Sequence, residues 1–361
     1  MAQVDAGVTV RELVAALDAA YPPRLAESWD SVGLVCGDPA DPVSRVLFAV
    51  DATAAVVDEA IAWGAQALVV HHPLLLRGVD TVAADTPKGA LVHRLIRHGC
   101  ALFTAHTNAD SADPGVSDAL AAALGVVVSG PLESKSAAAV DEWTVHVPAE
   151  AATAVTDALL AAGATAAGHD CARHGVVAGS PAGEPIRIVV VAPPAARRAL
   201  LTALRSAHPA TDPAFHVTER AALPTSCGLG RMGAIAKPET LRAFTARVRA
   251  ALPGTVWGVR AAGDPDRLVH TVAVCGGAGD SFLGTVARLG VDAYVTADLR
   301  HHPVDEQLRA GGPALIDAAH WATEFPWCAQ AATVVRTALP AVTTRISTLR
   351  TDPWTIGAAD D

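Results

Sequence analysis

The chain has 361 residues, of which 51% are hydrophobic, and 27 Lys and Arg against 37 Asp and Glu give a formal net charge of −10. This acidic balance argues against a dedicated nucleic-acid binder, which ordinarily carries a basic face. No run of apolar residues approaches the roughly 18 that a membrane-spanning helix needs, and the N-terminus has no signal-peptide pattern. The 6 cysteines form no CxxC pair, which is typical of reduced thiols in a cytoplasmic protein.

The first part of the chain alternates between helices and strands. The patterns predict helices over 8–20, 53–63, 87–98 and 114–124, and strands over 45–50, 67–70 and 101–105. Strands separated by helices of this length pair in parallel, so we expect a βαβ sheet.

The middle of the chain has a different order of predicted strands and helices. Strands are predicted over 142–147, 186–191 and 214–218, with helices over 151–161 and 194–206 between them. This order of β-α-β followed by β-α-β predicts a small ferredoxin-like α+β insert, with edges near 129–131 and 225–233.

The last part returns to the first pattern, as if one unit were used twice. Strands are predicted over 269–274, 293–296 and 314–316, and helices over 281–289, 305–309 and from residue 320 onward. We therefore predict an α/β protein with two α/β halves, 1–130 and 231–350, an inserted α+β domain over 131–230, and a frayed tail over 351–361.

Metal-ligating side chains follow three of the predicted parallel strands. A His-His-Pro turn follows strand 67–70, the HTNAD motif 106–110 follows strand 101–105, and an HxxxE pair follows strand 314–316. Open α/β sheets bind their ligands at the carboxyl ends of such strands. Imidazole with carboxylate suits Zn, Fe, Mn, Co or Ni, and the number of such groups points to two ions sharing a carboxylate. The metal-binding side chains in these three motifs are His71, His72, His106, Asp110, His320 and Glu324.

Three further motifs each have two interpretations. His301 and His302 follow strand 293–296, where they line the same cleft as acid/base groups or are simply exposed. Trp29 and Asp30 lie in a turn, either near the site or as a core anchor with a capping carboxylate. The Gly-rich stretch 275–281 either presents N–H groups to a phosphate or serves as a tight turn.

In combination these motifs resemble one known family, the NIF-three-like dinuclear-metal proteins, many of which are labelled GTP cyclohydrolase I type 2 homologues. The central section is similar to the family's optional insert, related to P-II and CutA-type trimeric proteins, with a degraded Gly-rich segment at 177–181. The motifs are WDSVGL at 29–34, HHP at 71–73, HTNAD at 106–110, TADLRHH at 296–302 and DAAHWATE at 317–324.

The resemblance implies a ligand set and an assembly. Carried over by motif, His72 and Asp110 bind one divalent ion, His71 and His320 bind the other, and Glu324 bridges both. The family also implies a toroidal homohexamer whose metal sites face a central cavity.

Two classes of function fit this reading. The first is a metal-dependent hydrolase of a small-molecule substrate, in which two ions activate a water and Glu324 is essential. The family label implies attack on C8 of the guanine ring of GTP, with His301 or His302 moving protons, and a phosphoester substrate would use the same machinery. The alternative is a non-catalytic metal-binding scaffold or a regulatory protein that binds partners.

Overall fold

The structure is a computed structural model that describes residues 7–166, 176–177 and 186–357. Residues 178–181 of the predicted degraded segment lie outside the described residues. The chain divides into two compact units, one of Met1–Lys135 with Ser226–Asp361 and one of Ser136–Thr225.

The first unit contains most of the α/β elements. Before the second unit the elements are α1 (Val10–Ala20), β1 (Gly33–Cys36), β2 (Arg45–Ala49), α2 (Ala54–Trp63), β3 (Ala67–Val70), α3 (Pro87–Arg97), β4 (Ala101–Thr104), α4 (Thr107–Ser111), α5 (Val116–Ala123), β5 (Val126–Gly130) and β6 (Glu133–Ser136).

The second unit and the return to the first complete the element order. The second unit holds β7 (Val140–Val147), α6 (Ala152–Ala161), β8 (Thr165–Ala166), β9 (Val176–Val177), β10 (Ile186–Ala192), α7 (Arg197–Ala207) and β11 (Phe215–Arg220). After it come β12 (Pro224–Leu229), β13 (Arg231–Thr240), α8 (Leu241–Ala251), β14 (Val259–Ala262), β15 (Leu268–Ala278), α9 (Leu283–Leu289), β16 (Ala293–Ala297), α10 (His301–Arg309), β17 (Ala314–Ala318), α11 (His320–Ala338) and β18 (Thr343–Ile346).

Side-chain caps fix where several helices begin. Helix α1 begins two residues later than predicted, because Thr9 and Glu12 form a capping box that ends the extended backbone at Thr9. Thr53 accepts a hydrogen bond from Val56 N–H and caps α2.

A five-stranded sheet has the order β1-β4-β3-β2-β18. Strands β2, β3 and β4 pair in parallel, β18 joins β2 in parallel, and β1 joins β4 antiparallel. All four residues of β3 and of β4 are buried, as expected for parallel strands covered on both faces. The predicted βαβ arrangement of the first part is therefore confirmed, and its carboxyl edge holds His71 and His106.

A six-stranded sheet has the order β14-β17-β16-β15-β13-β5. Its centre, β15, β16 and β17, is parallel, and β13, β14 and β5 add antiparallel strands at the two sides. The carboxyl ends of β16 and β17 lead to Asp298 and His320.

The two sheets exchange strands, which the sequence patterns did not predict. Strand β5, from the first part of the chain, pairs with β13 in the six-stranded sheet, and β18, from the last part, pairs with β2 in the five-stranded sheet. Helix α11 contacts β2 and β18 of one sheet and β15 and β16 of the other. A single hydrophobic core accordingly includes residues of both sheets and of α11, such as Phe48, Val274 and Trp327.

The second unit has an antiparallel sheet of order β11-β7-β10-β8, with β9 also pairing with β10. Helices α6 and α7 contact each other, and a separate core includes Trp143, whose ring stacks on Phe215 with centroids 5.7 Å apart. Arg197 donates to both carboxylate oxygens of Asp141, at 2.6 and 2.8 Å.

The segment after β18 is packed at its start rather than frayed. The Thr351 hydroxyl donates a hydrogen bond to Asp51, and Asp352 is only 6% exposed. Residues 358–361 of the predicted tail lie outside the described residues. Within the part of the chain that the structure describes, no helix has the length and apolar character to cross a membrane.

Arg231 at the start of β13 provides a test of the core of the first unit. Its side chain is 2% exposed, pairs with Asp118 at 2.8 Å, and donates to the carbonyl groups of Gly228 and Gly230. We expect Arg231→Met to lower the free energy of unfolding by about 3–5 kcal/mol, because the half-buried Asp118 carboxylate and the carbonyl groups of Gly228 and Gly230 lose the buried guanidinium that pairs with them. Urea unfolding followed by circular dichroism measures this change.

The control is Arg309→Met, because Arg309 makes an exposed ion pair with Asp305 on α10. That substitution should change the free energy of unfolding by less than about 0.5 kcal/mol. Equal effects of the two substitutions would contradict the structural role given to Arg231.

Candidate metal centre

Three chain segments bring imidazole and carboxylate groups together between the two sheets. His71 and His72 directly follow β3, His106 lies between β4 and α4, and His320 is the first residue of α11. Glu324 lies one turn further along α11, on the same helix face as His320.

Glu324 is the centre of this cluster. Its side chain is 4% exposed, and its Oε2 lies 3.0 Å from His72 Nε2. Its Oε1 lies 3.0 Å from His320 Nε2 and 3.4 Å from His71 Nε2. One buried carboxylate therefore faces three imidazole nitrogens.

Asp110 and His106 extend the cluster on the side of His71. Asp110 Oδ1 lies 3.7 Å from His71 Nε2, and the His106 ring centroid is 5.1 Å from that of His71. Two groups of potential ligand atoms, with all atoms of each group within 4.8 Å of one another, occur among the described residues: His71, His72 and His106, and His72, His320 and Glu324. The ligand prediction left out His106, although the HTNAD motif contains it.

Each of the four histidines is oriented through its other ring nitrogen. A metal-binding imidazole usually donates its second N–H to a carboxylate or carbonyl, which fixes the ring and leaves the opposite nitrogen free. The Nδ1 partners are the Ala105 carbonyl oxygen for His71 (2.8 Å), Asp51 for His72 (2.7 Å), Asp30 for His106 (2.8 Å) and Asp298 for His320 (2.6 Å).

These orienting carboxylates were not predicted from the sequence. Asp51 and Asp298 each follow a buried strand, β2 and β16, but nothing local distinguishes them from other loop carboxylates. Asp30 was singled out in the WDSVGL motif, and its carboxylate also accepts the Thr107 backbone N–H. Trp29 is 59% exposed and meets the His106 ring edge-on, so the core-anchor interpretation of Trp29 is wrong.

The residues present fit a divalent metal. His71 Nε2 and Glu324 Oε2 are both buried. Although Glu324 Oε2 lies 3.0 Å from His72 Nε2, neither atom makes a hydrogen bond of good geometry among the described residues. Buried polar atoms without partners are costly, and a cation among these atoms would satisfy both. The donor set of imidazole nitrogen and carboxylate oxygen matches the predicted first-row ions.

The charges of the cluster stabilise one another in the metal-free protein. Burial lowers the pKa of His72, but the neighbouring Glu324 and Asp51 carboxylates outweigh it and raise the pKa to about 10. The Glu324 carboxylate likewise raises the pKa of His320 to about 11. Burial raises the pKa of Glu324, yet the three histidines hold it well below its usual range. A metal therefore binds in competition with protons on these nitrogens.

The Gly-rich end of β15 packs directly against the cluster. Gly277 has φ +68°, and a Cβ at this position would lie 2.5 Å from Glu324 Oε1 and 3.0 Å from His320 Nε2. Its N–H donates to Thr323 Oγ1 and its carbonyl accepts from Thr296 Oγ1. The Gly277 amide is therefore used within the protein and is not free to bind a phosphate, while strand β15 continues through this residue with an irregular register between Val274 and Ala278.

The structure does not bring His301 and His302 into the ligand groups. Both are exposed at the start of α10, with ring centroids 5.2 Å apart. His301 lines a separate cavity of about 360 Å³ together with Arg260 and Arg300. In the TADLRHH motif, Asp298 is the residue that contacts a candidate ligand.

Asp298 provides a test of ligand orientation. It adopts φ +58° and its side chain is 54% exposed, so Asp298→Gly removes the carboxylate while keeping a residue that tolerates this backbone. We expect metal affinity to fall about 10–100-fold, because His320 loses the group that orients its ring. Competition with a chromophoric chelator measures the affinity.

Asp305→Ala is the matched control, since Asp305 is a solvent-exposed carboxylate on α10 that contacts Arg309. It should leave metal affinity unchanged. An Asp298→Gly protein that folds normally and binds metal as tightly as the parent chain would refute the orienting role.

Comparison with known proteins places this geometry in a family. The sequence model of the family described as Duf34/NIF3 (NGG1p interacting factor 3) matches residues 8–353. A protein from Mycobacterium tuberculosis named "GTP cyclohydrolase 1 type 2 homolog" is 56% identical over 370 residues, covering 97% of both chains. A relative of the same name from Streptomyces coelicolor is 42% identical and covers 96% of this chain and 94% of its own.

Solved structures agree with the sequence relatives. A Bacillus cereus protein described as related to NIF3 superimposes with a TM-score of 0.77 at 30% identity, covering 97% of this chain and 99% of its own. A Staphylococcus aureus protein gives a TM-score of 0.82 at 26% identity with the same coverage. The mixed α/β fold is therefore shared along nearly the whole chain.

Proposed function

The chain belongs to the Duf34/NIF3 family, and from this membership and its candidate metal centre we propose that it is a dinuclear-metal-dependent hydrolase. The observation that carries the proposal is the pair of ligand groups that share His72 around the buried Glu324 carboxylate. A site for one structural ion would need neither two groups nor a carboxylate that faces histidines of both.

The residues proposed to hold two divalent ions are His71, His72, Asp110, His320 and Glu324, with His106 added. The resemblance pairs His72 with Asp110 and His71 with His320. The distances favour a different division, because Asp110 faces His71 while His72 and His320 flank Glu324. In both divisions Glu324 is the shared ligand. Zn, Fe, Mn, Co and Ni all suit these donors.

Two such ions supply Lewis acidity and an activated water when bound. The protein holds the ligands in place through Asp51, Asp298 and Asp30, which keep the proton of each imidazole on Nδ1 and the lone pair on Nε2. The Gly277 backbone packs against the Glu324 carboxylate and so limits the space beside this ligand.

The candidate substrate is GTP, because the relatives carry the name "GTP cyclohydrolase 1 type 2 homolog". In this reaction water adds at C8 of the guanine ring and opens the imidazole, and a second water releases C8 as formate. Proton transfer to the ring nitrogens is assigned to a group beside the ligands rather than to the exposed His301 or His302. Asp298, half exposed next to His320, is a carboxylate beside the ligands with access to solvent.

The second unit and the assembly belong to this proposal. We propose that the second unit is an inserted ferredoxin-like domain, supported by its β11-β7-β10-β8 antiparallel order with two helices. The homohexamer and a cytoplasmic location rest on the family resemblance and on the absence of paired cysteines in the sequence.

Turnover by the metal-loaded protein tests the function. The protein is offered GTP and a panel of phosphomonoesters and phosphodiesters, and formate and phosphate are measured. We expect formate from GTP, and a loss of more than about 100-fold in Glu324→Gln, because removing a shared ligand should cost more than removing an orienting group.

The matched control is Glu306→Gln, which changes an exposed glutamate on α10 and should leave turnover unchanged. Phosphate in place of formate would make the protein a phosphoesterase with the same metal centre. No turnover of any substrate with any of the five metals would reject the hydrolase and favour the scaffold or regulatory alternative.

A further inference from the structure

We propose that the cavity beside the metal centre is a binding subsite for a planar heterocyclic ring that carries N–H donors. The inference rests on the proposed function in one respect, namely that the ring is the part of the substrate presented to the metal centre. Stacking and a carboxylate, rather than phosphate contacts, would recognise this ligand.

The cavity has a volume of about 410 Å³ and opens directly on two candidate ligands, His72 and His320. This volume lies within the range of small-molecule sites. Two segments far apart in the sequence complete its wall: the loop between α8 and β14, which contributes Trp257, and the segment after β18, which contributes residues 351–354.

Two tryptophans form an aromatic wall. The Trp257 and Trp354 ring centroids lie 6.1 Å apart with 33° between the planes, and the residues are 38% and 58% exposed. The Arg260 guanidinium lies 4.5 Å from the Trp257 centroid and covers one face of that ring. Arg260 therefore supports one face of the Trp257 ring, and Trp354, the more exposed of the two, offers a ring on which a flat ligand can stack.

The polar lining of the cavity selects the kind of ring. Asp51, Asp298 and Asp352 line it, and no Lys or Arg is among the described residues of its wall. Asp51 and Asp298 already accept hydrogen bonds from His72 and His320. Asp352 differs, because its Oδ2 is buried without a hydrogen-bond partner. A buried carboxylate oxygen without a donor is costly, and ring N–H groups would supply the missing donors.

The cavity lining recognises a ring rather than the phosphate end of a nucleotide. It has two tryptophan rings for stacking and no Lys or Arg side chain to form paired hydrogen bonds with a phosphate among its described residues. The ring is therefore the part of a nucleotide that this cavity would hold. A flat ring with N–H donors matches both the tryptophan wall and Asp352.

The cavity wall is connected to a candidate ligand by hydrogen bonds. The Thr351 hydroxyl donates to Asp51 Oδ2, and Asp51 Oδ1 lies 2.7 Å from His72 Nδ1. Thr351 precedes Asp352 in the chain, so the segment that carries the Asp352 carboxylate is tied to the orientation of His72. A ring held by Asp352 and Trp354 would thus lie beside the metal centre.

Calorimetric titration of the metal-loaded protein with guanosine, which has no phosphate, tests the subsite. We expect Trp354→Ala to weaken guanosine binding about 10-fold or more, because a stacking partner is lost, and Trp354→Phe to retain most of the affinity. Asp352→Asn should weaken guanosine binding about 10-fold. The parent protein should bind 1-methylguanosine, which lacks the ring N–H, about 10-fold more weakly than guanosine, whereas Asp352→Asn should bind the two nucleosides equally.

The control is Ile356→Ala, which changes a side chain that is 87% exposed two residues beyond Trp354. It should bind guanosine like the parent chain. Guanosine binding that is absent at about 1 mM, or that is the same in Trp354→Ala and Asp352→Asn as in Ile356→Ala, overturns the inference.

The subsite and the proposed hydrolase can fail separately. Guanosine binding that depends on Trp354 and Asp352, in a protein that does not turn over GTP, supports the subsite while rejecting the hydrolase. Formate release from GTP with an unchanged KM in Trp354→Ala supports the hydrolase and rejects the subsite.

Discussion

The buried carboxylate of Glu324 is the interaction on which the candidate metal centre depends. An ionised carboxylate removed from water is stable only when opposite charges or strong donors surround it. Here His71 and His72 come from the edge of one sheet, and His320 comes from the edge of the other. The charge of a single side chain therefore requires both sheets to be in place. Without metal, protons on these imidazoles compensate the charge, and bound cations would replace them.

The fold brings these groups together by placing α11 between the sheets. The helix begins at His320, presents Glu324 one turn later, and buries Trp327 in the core shared with both sheets. The exchange of β5 and β18 ties the two sheets into one unit, so the ligands from β3 and those from α11 lie on a common frame. Close packing reaches the site itself, because only glycine fits at position 277 beside Glu324.

Local sequence patterns predicted correctly those elements that depend only on residues close together in the chain. Strand β3 was predicted with its observed bounds because its four residues form an uninterrupted apolar run, and the histidines after it were found for the same reason. The exchanged strands β5 and β18 were not predicted, because their partners lie far away in the sequence. Asp51 and Asp298 were not predicted for the same reason. Each lies in a loop with no distinguishing local pattern, and only the folded chain brings its carboxylate to the Nδ1 atom of a histidine. The cavity with Trp257 and Trp354 likewise depends on segments that only the fold brings together.

The most direct measurement is the number of metal ions bound per chain, with and without the Glu324 carboxylate. Elemental analysis of the protein, loaded with a divalent metal and freed of excess, should give about two ions per chain, and about one or none in Glu324→Ala, because the shared ligand is gone. Glu306→Ala, at an exposed position on α10, should keep the parent value. A parent chain that binds no stoichiometric metal, or a Glu324→Ala chain that keeps the full number, would contradict the account.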